Sequence, residues 1–437
     1  MTDRQPRVPV SPWDEDELRE MLDETEYDSE LGLELARDAQ RLVAGDITEE
    51  EFHDRHHEAI VDEFGADDRP LETITEAAEE ATADRDPVAF LERIGNDDEY
   101  TRRDAMKVSG AAAGALAIGA WGTAEQMGDD ASSLASTDTN PQDGDTQWGM
   151  VIDLDRCDGC LGCVEACREE NQWERGANWM YVLAYEDDTR STGEDFLIRP
   201  CMHCGNAPCE KVCPVEARHT RDKDGLVLTD YDICIGCRYC QVACPYGVNY
   251  FQWGEPAVDQ EEIPEEHTYD ERGRWVDSRP PKGTMGKCTM CPTRQDGLLG
   301  EDKVGTVACM DMCDEMGMNA IHFGDLSDPE SRPNQYIRER RRQETGRRPG
   351  SDKTADDFLH TSTKEQDIST FRLLEEMGTE PNVIYIGNQP GPNAQQVDGP
   401  VTYEAVGSTD RRKDVLDEGA DADQRPFPFV ADGGEDG

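Results

Sequence analysis

The chain has 437 residues and is strongly acidic: 97 Asp and Glu residues stand against 43 Lys and Arg residues, for a formal net charge of −54. Such a surface repels nucleic acid and anionic lipid, which excludes a nucleic-acid-binding protein and direct binding to an acidic membrane surface. The acidic residues run along the whole chain, including an insert at 259–266. This favours adaptation to molar salt, where the Debye length is roughly 3 Å, over a mesophilic protein with acidic tails. We therefore expect an extreme halophile as the source.

Residues 1–100 contain no cysteine and have an acidic, helical pattern. Thr48 and Glu51 have the spacing of a capping box, and Gly65 predicts the end of the helix that follows. The apolar residues of this segment are too few for a sizeable core. We expect an acidic helical extension, such as a small helical bundle.

Three histidines, His53, His56 and His57, lie on or near one face of that predicted helix. Histidines grouped in this way can bind a metal ion. No cysteine is near them, however, and carboxylates surround them. A solvated helix face is therefore the favoured interpretation.

Residues 101–123 resemble a twin-arginine export signal. Arg102 and Arg103 precede a weakly apolar stretch at 108–121, which is shorter than the roughly 20 apolar residues of a membrane-spanning helix. A flexible polar spacer at 124–147 follows. The signal predicts delivery of a folded, cofactor-loaded protein to the extracytoplasmic face of the cell membrane. Because about 100 residues precede it, a linker in a cytoplasmic protein stays open as the alternative.

All 16 cysteines fall into four quartets between Cys157 and Cys313. The first and third quartets have the spacing C-x2-C-x2-C-x3-C, which is typical of bacterial ferredoxins that hold [4Fe–4S] clusters. The second quartet has one gap of four residues, and the fourth has a longer insertion between its two pairs. The quartets are Cys157, Cys160, Cys163 and Cys167; Cys201, Cys204, Cys209 and Cys213; Cys234, Cys237, Cys240 and Cys244; and Cys288, Cys291, Cys309 and Cys313.

Four complete quartets predict four [4Fe–4S] clusters. Three thiolates at intervals of three residues can wrap one cluster, and the fourth reaches the neighbouring cluster. Gly159, Gly162 and Gly236 let the backbone approach the sulfurs closely. Structural zinc does not explain the triple spacing, and a disulfide framework is unexpected in so long a chain. Both alternatives are therefore weaker.

Strand-like pieces such as 148–153 and 226–230 precede quartets, and short helices such as 164–170 follow the last cysteines. This predicts an α+β fold of tandem ferredoxin-like modules at 148–331. The remainder, 332–437, is predicted to hold a basic helix, a partner-docking segment and an acidic tail. The basic stretch at 338–348 fits either docking of an acidic partner or a solvated helix.

Two segments carry a family resemblance: PCMHCGNAPCEKVCPVEA and YDICIGCRYCQVACPYGVNYFQW. They resemble the iron–sulfur subunits of molybdenum oxidoreductase complexes of the dimethyl sulfoxide, polysulfide, thiosulfate and nitrite reductase type. The resemblance covers about 149–331 and resumes at 373–386. Several such subunits carry their own twin-arginine signal.

The resemblance implies that the first quartet shares two clusters with the fourth, and the second shares two with the third. Asp314 stands where the family more often has proline, and a carboxylate there is expected to lower the potential of the cluster bound by Cys313 unless it is solvated. The implied ligand sets are Cys157, Cys160, Cys163 with Cys313; Cys288, Cys291, Cys309 with Cys167; Cys201, Cys204, Cys209 with Cys244; and Cys234, Cys237, Cys240 with Cys213.

The sequence contains no nucleotide-binding glycine turn, phosphate loop or nucleophile elbow, so no catalytic residue is assigned. The resemblance implies a non-catalytic redox subunit that passes electrons between an integral membrane quinone-handling subunit and a molybdopterin-containing catalytic subunit, with membrane association through these partners. A quinone–cytochrome complex without a molybdenum enzyme is the alternative. A zinc-stabilised, non-redox interaction module is a second alternative.

Overall fold

The computed structural model describes residues 15–69, 146–187, 195–346, 349–359, 369–391 and 394–409. The predicted export signal with Arg102 and Arg103, and nearly all of the spacer that follows it, lie outside the described residues. Within these ranges, helices and short strands alternate, and the predicted α+β class is confirmed. None of the described helices has an apolar run long enough to cross a membrane.

The described helices of the cysteine-rich part have at most 10 residues, and the longest described helices lie outside it. In chain order they are α1 (Glu15–Asp23), α2 (Ser29–Val43), α3 (Glu49–Phe64), α4 (Gly162–Asn171), α5 (Pro208–Lys211), α6 (Tyr239–Ala243), α7 (Pro292–Gln295), α8 (Ala308–Glu315) and α9 (Arg332–Thr345).

The strands are also short. In chain order they are β1 (Trp148–Asp153), β2 (Tyr181–Asp187), β3 (Asp195–Arg199), β4 (Arg218–Thr220), β5 (Val227–Thr229), β6 (Tyr250–Phe251), β7 (Met285–Gly286), β8 (Ile321–Asp325), β9 (Thr370–Phe371), β10 (Val383–Ile386) and β11 (Ala394–Val397).

A four-stranded sheet in the order β8-β1-β10-β9 organises the cluster region. Strand β1 pairs in parallel with β10, where Met150 faces Val383, and antiparallel with β8, where Met150 faces Phe323. The inner position of β1 explains why Met150, Val151 and Ile152 are fully buried. A second sheet has the order β11-β2-β3, and β4–β5 and β6–β7 form two-stranded pairs.

The cluster domain extends beyond its predicted boundary at residue 331. Strands β9 and β10 complete the first sheet, and β11 completes the second. The predicted boundary follows the last cysteine, but the sheet that positions the first quartet needs strands from the segment after it. The segment at 373–386, where the resemblance resumes, includes β10.

The N-terminal helices form as predicted. Thr48 accepts a hydrogen bond from the backbone N–H of Glu51 at 3.1 Å, and the Glu51 carboxylate accepts one from the N–H of Thr48 at 3.2 Å. Gly65 ends α3 with φ 84°. This is the predicted capping box with its glycine stop.

These helices do not form a separate core. Their apolar residues, among them Leu33 and Phe52, belong to the same buried cluster as the cysteines. Helix α2 packs on α6, where a Cβ on Gly32 would lie 2.5 Å from the ring of Tyr239. The Tyr239 hydroxyl donates to the carbonyl of Asp28 at 2.7 Å. A segment with too few apolar residues for its own core is thus buried against the cluster region.

The basic stretch is largely engaged within the chain. Arg340 pairs with Asp153 at 2.9 Å and Asp155 at 2.8 Å. Arg338 donates to the carbonyl of Lys353 at 2.7 Å, and Arg341 lies over the ring of Phe358. An acidic partner would have to displace such contacts, and docking at 338–348 stays a prediction.

Candidate cluster-binding sites

The structure gathers the sixteen cysteines into four groups, and none of them forms a disulfide. Burial raises the pKa values of thiols in every group, and the other thiols of the same group raise them further. Each group joins three cysteines of one quartet to one cysteine of another, in the combinations that the resemblance implies. Site 1 holds Cys157, Cys160, Cys163 and Cys313; site 2 holds Cys167, Cys288, Cys291 and Cys309; site 3 holds Cys201, Cys204, Cys209 and Cys244; and site 4 holds Cys213, Cys234, Cys237 and Cys240.

The sites follow one another in the order 1-2-3-4. After burial, which is the main cause, a thiol of the adjacent site raises the pKa of one thiol at each junction. Cys163 raises the pKa of Cys167, Cys201 raises that of Cys288, and Cys240 raises that of Cys209. These contacts link sites 1 and 2, then 2 and 3, then 3 and 4.

The two ends of this row are the least buried. Of the sixteen cysteines, only Cys157 and Cys160 of site 1 and Cys234 of site 4 are partly exposed. All cysteines of sites 2 and 3 are buried. A row with a buried middle and two accessible ends is suited to entry of an electron at one end and exit at the other.

The exchange of the fourth cysteine follows from the short helices. Helix α4 begins at Gly162 and carries Cys163 at its start and Cys167 one turn later, so the two thiols point to different sites. Helix α8 does the same with Cys309 and Cys313. The predicted helices after the last cysteines therefore begin inside the quartets.

Two of the three predicted glycines are required by the backbone of these loops. Gly159 has φ 73°, and a Cβ there would lie 2.4 Å from the ring of Phe196. Gly236 has φ 69°, and a Cβ there would lie 2.1 Å from the carbonyl oxygen of Gly283. At Gly162 the nearest atom, on Met312, is 3.2 Å away, so the need for glycine is weaker there.

N–H groups are directed at the exchanged cysteines. The backbone N–H of Arg218 donates to Sγ of Cys213 at 3.3 Å, and that of Ala320 donates to Sγ of Cys313 at 3.2 Å. The side-chain amide of Asn171 does the same to Cys167 at 3.4 Å. Such bonds orient a thiolate and stabilise its negative charge.

The donor sets fit [4Fe–4S] clusters. Each site offers four soft sulfur ligands, most of them buried, and burial raises the pKa of Cys288 to about 11 and that of Cys157 to about 12. Thiols in such surroundings ionise only when a metal supplies compensating positive charge. The protein binds four [4Fe–4S] clusters, as its quartets predict.

Two polar residues at the junction of sites 2 and 3 escaped the sequence analysis. His203 is fully buried, accepts from the N–H of Val227 at 3.1 Å and donates to the carbonyl of Cys288 at 2.9 Å. The Lys287 ammonium donates to the same carbonyl at 3.0 Å. In the sequence, only the position of His203 between two cysteines indicates a role at the sites, because its hydrogen-bond partners come from distant parts of the chain.

The histidines of α3 divide into two environments. His57 lies 3.0 Å from the Asp67 carboxylate, and His53 lies 3.7 Å from it, but Arg69 already donates two bonds of 2.7 Å to that carboxylate. His56 is buried and lies 3.1 Å from Asp38. The prediction of a solvated face is therefore wrong for His56.

The side chain of Asp314 lies at the surface in an ion pair with Arg332, at 2.7 Å, and both are about a third exposed. The guanidinium offsets the carboxylate charge. The expected lowering of the potential at site 1 is correspondingly weakened.

Comparison with known proteins places two parts of the chain in described families. Residues 8–72 match the N-terminal region of 4Fe-4S ferredoxin iron-sulfur binding, and residues 193–261 match a 4Fe-4S dicluster domain.

Three relatives are similar over about 55% of this chain. A protein of Halobacterium salinarum, provisionally named as an iron–sulfur subunit of dimethyl sulfoxide reductase, is 36% identical over 262 residues, which are 56% of this chain and 81% of the relative. The menaquinone reductase iron–sulfur cluster-binding subunit of Nitratidesulfovibrio vulgaris is 32% identical, over 56% of this chain and 89% of the relative. The arsenate respiratory reductase iron–sulfur subunit of a Shewanella species is 37% identical, over 54% of this chain and 95% of the relative.

Proposed function

The chain belongs to the family of iron–sulfur subunits that includes those of dimethyl sulfoxide, menaquinone and arsenate reductases, and from this premise we propose the two partners between which it carries electrons. One is an integral membrane subunit that oxidises or reduces quinone. The other is a molybdopterin-containing catalytic subunit, and association with the membrane comes through the partners.

One observation carries the proposal: the four cysteine groups form a row whose only partly exposed cysteines lie at its two ends. A protein that stores electrons, or a zinc-stabilised module, needs no such row. A carrier between two docked proteins does, because each partner must approach one terminal site.

The residues of the chain hold, orient and insulate the clusters. We assign the cysteines of sites 1 to 4 as the ligands of four [4Fe–4S] clusters, which when bound supply one-electron chemistry. The burial of sites 2 and 3 excludes water from the middle of the row. The N–H groups at Cys167, Cys213 and Cys313 stabilise thiolate charge.

Metal analysis together with co-purification tests this function. Anaerobically purified protein should contain about 16 iron and 16 acid-labile sulfide per chain. The native complex should contain a molybdopterin subunit and a membrane subunit. Stoichiometric zinc in place of iron would refute electron transfer, whereas four clusters with cytochromes and no molybdenum would support the quinone–cytochrome alternative. The similarity to a menaquinone reductase subunit is the observation that favours this alternative.

For localisation, we propose export by the twin-arginine route to the extracytoplasmic face. Arg102, Arg103 and the apolar stretch after them support it, as does the need to insert clusters before transport. Because α1–α3 pack on the cluster region, these helices would travel with it. The high acidic charge suits the salty surroundings of an extreme halophile on either side of the membrane.

Changing Arg102 and Arg103 together to Lys should leave cluster-loaded protein in the cytoplasm. Fractionation and absorbance near 400 nm would measure this, with Arg156→Lys, in the cluster region, as a control that should not alter export. A cytoplasmic wild-type protein, or an exported double variant, would show that 101–123 is a linker.

A further inference from the structure

Arg218, at the start of β4, lies at the junction of sites 3 and 4. Arg218 is 1% exposed, and its Nη2 lies 3.6 Å from Sγ of Cys240 at site 4. Its positive charge also lowers the pKa of Cys209 at site 3, against the larger effect of burial. One guanidinium therefore faces two neighbouring sites.

The hydrogen bonds of this guanidinium are incomplete. Nη2 donates to Oδ1 of Asn249 at 2.8 Å, and the side-chain amide of Asn249 in turn donates to the carbonyl of Cys240 at 2.9 Å. Nε and Nη1 are buried and have no partner among the described residues. A buried N–H group without a hydrogen-bond acceptor destabilises the folded protein. A group bound among the thiolates must therefore accept hydrogen bonds from Nε and Nη1.

The charge of Arg218 is also uncompensated by carboxylates. No carboxylate in the described ranges is ion-paired with it. Arg221, three residues later and equally buried, is paired with Asp224 at 2.5 Å and with Asp296 at 3.0 Å. Lys287, at the junction of sites 2 and 3, donates to two backbone carbonyls. A buried cation without a counter-charge is stable only beside an anion, and a cluster held by four thiolates is an anion.

We propose that Arg218 sets the reduction potentials of the clusters at sites 3 and 4. Its fixed positive charge, and the N–H groups of Nε and Nη1 that would be free to donate to a bound cluster, would favour the reduced form of both clusters. Each reduction adds one electron to a cluster, and the guanidinium keeps its proton throughout. The charge of Arg218 thereby raises the affinity of the 3–4 half of the row for electrons. The proposal rests on the assignment of four clusters made above.

Redox titration of the purified, cluster-loaded protein, followed by electron paramagnetic resonance, tests this in three variants. Arg218→Met removes charge and donors, Arg218→Gln keeps a donor, and Arg218→Lys keeps the charge. In the Met variant, the equilibrium constant for reduction at sites 3 and 4 should fall at least tenfold, which is about 59 mV for a one-electron couple. The Gln variant should lie between Met and wild type, and the Lys variant nearest wild type. The clusters at sites 1 and 2 should keep their potentials and serve as the internal control.

Iron analysis separates the outcomes. Four clusters with unchanged potentials in the Met variant would overturn the role of Arg218 and leave electron transfer intact. Loss of clusters from the Met and Gln variants, but not from Lys, would support a requirement for the charge. Loss from all three would show a packing role only and overturn the proposal. Zinc in the wild-type protein would instead refute the proposed function itself.

Discussion

The two halves of the cluster row have equivalent cysteines but different electrostatic surroundings. Beside site 2, the buried Arg294 pairs with Glu170 at 2.6 Å and Asp311 at 2.8 Å, so its charge is cancelled. Beside sites 3 and 4, the buried Arg218 has no carboxylate partner among the described residues. Equal ligand sets therefore need not give equal potentials, because charges around a cluster also set its potential.

The halves also differ in their cover. Helices α1–α3 lie against the 3–4 half. There Arg238 donates to the carbonyl of Met21 and to Glu24, and its guanidinium lies over the rings of Phe251 and Trp253. At the other end, α4 and α8 pack on each other. One end is thus stabilised by a segment distant in sequence, and the other by helices that carry the ligands.

The largest expected effect is the loss of one cluster from the 1–2 half. Cys167→Ser should remove the cluster of site 2, about four iron per chain, because Cys167 lies with Cys288 and Cys309 and not with its own quartet. Iron analysis and electron paramagnetic resonance of reduced protein would measure the loss.

Two further variants identify which cluster is lost. The signal missing in Cys167→Ser should match the one missing in Cys291→Ser and differ from the one missing in Cys160→Ser. A match with Cys160→Ser would contradict the grouping of sites 1 and 2.

A substitution in α2 should have a smaller effect and destabilise the 3–4 half selectively. Gly32→Val places a side chain against Tyr239, where even a Cβ would be 2.5 Å from the ring. Overpacking of this kind costs about 1–3 kcal/mol, and the cluster of site 4 should be lost first because α6 carries Cys240. Denaturant titration followed by cluster absorbance and resonance signals would measure this.

Glu34→Val is the matched control for that variant. Glu34 is exposed on the same helix, so the variant introduces the same side chain without the clash. Equal stability of the two variants would show that docking of α2 on α6 does not support site 4.

The smallest effect is a pH dependence in the 1–2 half. Burial raises the pKa of Asp277 to about 7, although Thr293 donates to its carboxylate at 2.7 Å. The folded protein then keeps a proton that the unfolded chain loses near its ordinary value of 3.8. Since the unfolded state binds fewer protons in this window, stability should fall as the pH rises from about 4 to about 7.

Asp277→Asn should lack that fall, so the difference between wild type and variant should change by about 1.4 kcal/mol per pH unit at most. Denaturant midpoints measured across this range would show it. Parallel profiles for Asp277→Asn and wild type would contradict the buried, protonated carboxyl.

Much of the site was readable from local patterns. Cysteine spacing predicted the number and type of clusters, since a loop around a cubane needs thiolates at fixed short intervals. The capping box at Thr48 and Glu51 and the positive φ of Gly159 and Gly236 were also readable, because each depends on neighbours in sequence or on local backbone conformation. The close contacts of these glycines with Phe196 and Gly283 were not, because they come from distant parts of the chain. The exchange of cysteines between quartets came from the family resemblance, since spacing alone does not say which quartets meet.

Only the tertiary structure decided the surroundings of the sites. The neighbours of Arg218 come from quartets two and three and from the segment after them. The local sequence of β4 therefore does not indicate that this guanidinium is buried without a carboxylate partner. The burial of His56 and the docking of Gly32 on Tyr239 likewise depend on surfaces far apart in the chain. Ligand spacing is a local property of the backbone, whereas burial and net charge around a cluster are sums over every segment that packs there. The sequence therefore specified what the protein binds, and the fold specified how each bound cluster is surrounded.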